Sequence, residues 1–77
     1  MSNIFKSHIT EIIAYYYDAI DAGERAPDWH TSIDMWLSAN EEKISAFSTA
    51  ELARMRSEFI IFVGGKKFNR DGTYTEL

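Results

Sequence analysis

A chain of 77 residues, 45% hydrophobic and 26% charged, with a net charge of −4 and no cysteine, has the composition of one folded domain and excludes several classes at once. The missing thiols rule out disulfides and thiolate zinc sites. The acidic balance disfavours nonspecific nucleic-acid binding, which attraction to phosphate dominates.

The charge is uneven. Residues 1–50 carry −5 and residues 51–77 carry +1, so any anion-binding surface belongs to the second half. "MSNIFKSH" is not a basic segment followed by an apolar run, and no apolar stretch nears the roughly 20 residues of a membrane span. The expectation is a cytoplasmic protein without a signal peptide.

Helical spacing of Phe5, Ile9, Ile12, Tyr16, Ala19 and Ile20 predicts a first helix from about Asn3 to Ala22. Ser2 or Asn3 can cap it, and Gly23 suits the left-handed position past its end. Within it, "IIAYYYDAI" sets three tyrosines side by side. Residues about 100° apart sweep about 200° over three positions, so one core cannot take them all. On this wheel Tyr16 points inward and Tyr15 and Tyr17 flank it. With Ile4 and Ile13 they widen the apolar arc beyond that of an ordinary surface helix.

"GERAPDWH" is a connector in which Pro27 ends any helical run. A second helix begins near Asp28 or Thr31, where Thr31-Ser-Ile-Asp34 has capping-box spacing. Trp29, Ile33, Trp36 and Leu37 share its face. Ser38-Ala-Asn-Glu41 predicts a break and a short third helix with Ile44 and Phe47, although those residues also fit one continuous helix. Ser48-Thr-Ala-Glu51 opens a last helix with Leu52, Met55, Phe59, Phe62 and Val63, stopping at Gly64-Gly65. Its apolar end, "FIIFV", alternatively forms a strand turning at Gly-Gly into "KKFNR". "NRDGTYTEL" closes the sequence as a tail or small hairpin packed by Phe68 and Tyr74. The fold class expected is all-α: a single domain over residues 1–77, a bundle of three or four helices with a short tail or hairpin.

Chemistry-bearing constellations are sparse. His30 and Asp34 stand one turn apart, as do His8 and Glu11 nearly so, but neither pair gains the further ligands of a metal site. Serines stand mainly where caps need them, and Gly64-Gly65-Lys66-Lys67 lacks the spacing of a phosphate loop. No enzyme, cofactor or metal site is expected. Lys66, Lys67 and Arg70, with Phe68 as a stacking group among them, are the candidate anion contacts. Cations past a helix end are also favoured simply by the helix dipole.

What remains is an apolar excess. Eleven aromatics exceed what a thin core hides, and disulfides are excluded as its supplement, which leaves self-association or a partner. Tyr15, Tyr17, Ile61 and Phe62 are therefore the candidate interface. The function expected is noncatalytic protein binding, as a small acidic inhibitor or adaptor that occludes a partner's surface, with homo-oligomerisation. In size and charge alone it resembles small phage-encoded inhibitors. Two alternatives stand beside this reading: a nucleic-acid-associated regulator using the basic second half, and a small-ligand binder whose tryptophans line an aromatic pocket.

Overall fold

A computed structural model describes residues 3–23 and 28–77. The chain forms α1 (Ile4–Ser7), α2 (Ile9–Asp21), α3 (Trp29–Ala39), α4 (Glu41–Ile44) and α5 (Thr49–Gly64), then β1 (Lys66–Phe68) and β2 (Tyr74–Glu76). The helical class with a terminal hairpin is thus what the structure shows. Ser2 as an alternative cap and Pro27 as a helix stop lie outside the described residues.

The predicted first helix is two helices. Asn3 caps α1, its Oδ1 accepting from the Phe5 amide at 2.9 Å and the Lys6 amide at 3.3 Å. The same side chain donates from Nδ2 to the Met55 carbonyl on α5 at 2.7 Å. This anchor pulls α1 onto α5, whereas α2 packs on α3. His8 takes up the change of direction at φ −118° and ψ 27°, with its Nδ1 2.9 Å from the Ile4 carbonyl. Neither glycine nor proline marks the break. Gly23 does take the left-handed conformation expected of it, at φ 94°.

Asp28, not Thr31, caps α3. Its carboxylate accepts from the Thr31 amide at 2.7 Å, which holds its pKa below the ordinary 3.8. The Thr31–Asp34 box does not form, because Asp34 turns to Arg56 on α5, 2.8 Å away. The break near residue 40 is real, but no side chain caps α4; Asn40 donates instead to the Trp36 carbonyl at 2.8 Å. Ser48 and Glu51 complete the predicted capping box of α5, both bonds being 3.1 Å. That helix runs through "FIIFV", so the strand alternative is not adopted.

The hairpin pairs Lys66 with Glu76, Lys67 with Thr75 and Phe68 with Tyr74 in antiparallel register. Its turn is built by Asp71, whose Oδ1 accepts from the Thr73 amide at 3.0 Å, and by Gly72 at φ 92°. A hairpin this short is marginal alone. Here Phe68 secures it, buried against Trp29 and Phe62 at ring distances of 5.7 and 6.2 Å.

The core consists of Phe5, Ile12, Ile13, Ile33, Trp36, Met55, Phe59, Val63 and Phe68. Phe5 meets Trp36 edge-on at 6.0 Å and Phe59 at 6.0 Å, and Trp29 carries the aromatic chain onward to Phe68. Among the described residues the Trp36 indole N–H is a buried donor without an acceptor.

Candidate functional site

The three tyrosines separate once α2 is placed. Its buried residues are Ile12 and Ile13, and on the wheel Tyr16 falls between them, on the inward face but one turn nearer the helix end. Helical rotation then gives α2 three faces about 120° apart. One turns to the core. A second, with Thr10, Tyr17 and Asp21, turns to the hairpin. The third, with Tyr15, Asp18, Ala19 and Ala22, lines an open groove shared with α3.

Tyr17 is held within the chain. Its hydroxyl donates to the Phe68 carbonyl at 2.6 Å, and the Arg70 guanidinium lies 4.6 Å above its ring. Tyr16, expected in the core, is half-buried and stacks on Trp29 at 4.6 Å with planes 17° apart. Phe62 is also engaged inside the molecule, meeting Phe68 and Tyr74 and receiving the ammonium groups of Lys6 and Lys66 over its ring. Ile61, by contrast, is 79% exposed on α5.

The groove has a volume of about 770 Å³. Tyr15, Asp18 and Ala19 of α2, with Ala22 just past its end, form one wall, and Thr31, Asp34, Met35, Ser38 and Ala39 of α3 the other. The two helices run antiparallel, since His8 lies 5.1 Å from Trp36 while Tyr16 lies on Trp29 near the other end. Ala19, Ala22 and Ala39 are among its lining, and Met35 stands 46% exposed along it. None of its lining residues is cationic, whereas Asp18 and Asp34 are both acidic. A neighbouring hollow shares Ser38 and Ala39 and adds Glu41, Glu42 and Lys43 to that end.

A second cavity, about 380 Å³, is lined in part by Tyr16, Ile20, Trp29, Lys66 and Leu77. Of the two tryptophans only Trp29 lines it, since Trp36 is fully buried.

The candidate anion contacts are unequal. Arg70 forms a bidentate pair with Asp21 at 2.9 and 2.7 Å, which lowers the Asp21 pKa and raises that of Arg70. Lys66 lies over the Phe62 ring at 4.2 Å and 3.9 Å from Glu76. Lys67 is exposed and pairs with no carboxylate among the described residues. Phe68, at 5% exposure, is buried where a stacking group would need to be open.

His30 and Asp34 do come together, on Arg56. Its Nε donates to His30 Nδ1 at 3.1 Å, one terminal nitrogen donates to the His30 carbonyl at 3.2 Å, and the other meets Asp34 at 2.8 Å. Arg56 was not singled out by sequence, because its partners lie 26 and 22 positions away. Among the described residues no group of three His, Asp or Glu side chains is arranged to hold a metal, and no helix is long and apolar enough to cross a membrane.

Compared with protein-family models, with curated proteins and with solved structures, the chain matches none, so its site is read from its own residues.

Proposed function

We propose that this protein acts noncatalytically, by binding another protein through the α2–α3 face and occluding the surface it covers. The observation that carries this reading is the groove: open, mainly apolar, and lined by alanines together with Tyr15 and Met35. An aromatic and a flexible thioether give large contact area and an adaptable fit. Concavity distinguishes this face from the isolated apolar residues any surface carries. The exposed basic residues give a nucleic-acid reading less support, since Lys66 and Arg70 already hold internal partners.

The reading is tested by affinity capture from native lysate with three baits. They are the unaltered protein, Met35→Arg in the groove and Ile61→Ser on α5. A partner retained by the first and third baits and lost by the second supports the α2–α3 face. Loss with Ile61→Ser alone moves the contact to α5, and equal retention by all three contradicts both surfaces.

A further inference from the structure

The groove's walls restrict what fits it. Its floor is set by two antiparallel helices, with Ala19, Ala22 and Ala39 where larger side chains would fill the space. Small residues let a third helix approach to the 8–10 Å interaxial distance of packed helices. Tyr15 and Met35 then provide apolar contact on opposite sides.

The charge around the groove restricts it further. Asp34 is already spent on Arg56, and Glu11 lies 3.9 Å from Lys43. Asp18, Glu41 and Glu42 have no ion-pair partner among the described residues, and all three are exposed. They stand along one wall and at one end of a groove whose own lining contains no cation; Lys43, in the hollow at that end, pairs with Glu11.

A second copy of this chain suits that pattern poorly. Groove-to-groove pairing about a two-fold axis would bring the acidic residues of one groove toward those of the other, like charge facing like. The alternative, in which the exposed α5 stripe of Ala53, Ser57 and Ile61 enters a neighbour's groove, pairs unlike surfaces and does not close as a dimer. It also brings only Arg54 as a cation, accompanied by Glu58.

We propose that the occupant of the α2–α3 groove is a basic amphipathic helix of a partner protein, its small apolar stripe against Ala19 and Ala39 and its Lys/Arg flanks against Asp18, Glu41 and Glu42. This rests on the protein-binding reading and adds the partner's chemistry. Such helices are recognised by apolar anchors at three- and four-residue spacing, and opposite charge along the rim sets orientation and speeds encounter.

The test uses the full chain and three synthetic helical peptides of about 15 residues, long enough to hold helix. They share one Ala/Leu stripe and differ only in Lys, Gln or Glu flanks. Binding is measured by titration calorimetry and located by amide chemical-shift changes, while sedimentation gives the mass of the protein alone. The expected result is a Lys-flanked peptide bound at least about tenfold more tightly than the Glu-flanked one, which is about 1.4 kcal/mol. Shifts should centre on Tyr15, Ala19, Met35 and Ala39. Combining Asp18→Asn, Glu41→Gln and Glu42→Gln should remove the preference, and Met35→Arg should abolish binding, with thermal melts confirming that each variant folds. Equal affinity for all three peptides overturns the charge argument and leaves the protein-binding reading intact. A dimer whose groove amides are protected makes the occupant a second copy and likewise overturns only this inference. If no peptide binds and the protein is monomeric, the groove is not a docking face and both readings fail.

Discussion

The Tyr17 hydroxyl donates to the Phe68 carbonyl at 2.6 Å, joining residues 51 positions apart and fastening α2 to the hairpin. Tyr17→Phe keeps the ring and removes this bond, so the expected loss is about 1 kcal/mol. Hydrogen exchange at Asn69 and Leu77, whose amides donate across the hairpin to the Thr73 and Gly65 carbonyls, should speed up before exchange in α5 does. Unchanged exchange would mean that ring packing alone holds the hairpin.

Trp36 is fully enclosed by Phe5, His8 and the remaining core. Trp36→Ala should cost about 3–5 kcal/mol through lost contacts and a cavity. A domain of this size has about 4–12 kcal/mol in all, so denaturant melts should find a large share of the stability gone. A loss below about 1 kcal/mol, the range of an ordinary surface substitution, would contradict the core placement.

Two residues compete as the cap of α3, and substitution separates them. Asp28→Ala should lower the melting temperature clearly, because Asp28 accepts from the Thr31 amide. Thr31→Ala should do much less. The reverse order would restore the Thr31–Asp34 box expected from sequence.

Acid should weaken the fold by a defined route. Asp21 is held low by its hydrogen bond from Arg70, Asp28 and Glu51 by backbone amides, and Asp71 by Thr73, all below ordinary values of 3.8 or 4.5. Each carboxyl therefore binds a proton less readily folded than unfolded. Its contribution is present above the unfolded value and lost as pH falls through the folded one. Stability measured from about pH 6 down to about pH 2 should be flat at first and then fall below about pH 4.5. The combined variant Asp21→Asn, Asp28→Asn should fall less steeply over that range, and an unaltered slope would assign the acid response to other groups.

Local signals in the sequence translated directly into structure. Gly23, the Ser48–Glu51 box and the Asp71-Gly72 turn each depend on residues within four positions, and all three formed as expected. Expectations failed where a distant partner intervened. Asn3 reached Met55, and the chain bent at His8; Asp34 reached Arg56, and the cap passed to Asp28. Tyr16 keeps the inward direction its spacing gives it, but it lies near the end of α2, where it stacks on Trp29 and stays half-buried. The apolar excess was legible, but its division was not: Tyr17 and Phe62 meet the hairpin, whereas Tyr15 lines the groove and Ile61 remains open.

Whether the α2–α3 groove is the face that meets a partner is tested most directly by site-specific photocrosslinking. A benzophenone side chain replaces Met35 in the groove or Ile61 on α5, and native lysate is irradiated with each protein. The expected result is one defined protein adduct from position 35, suppressed by excess unlabelled protein and absent from position 61. An adduct confined to position 61, or none from position 35 while the protein remains folded, would contradict it.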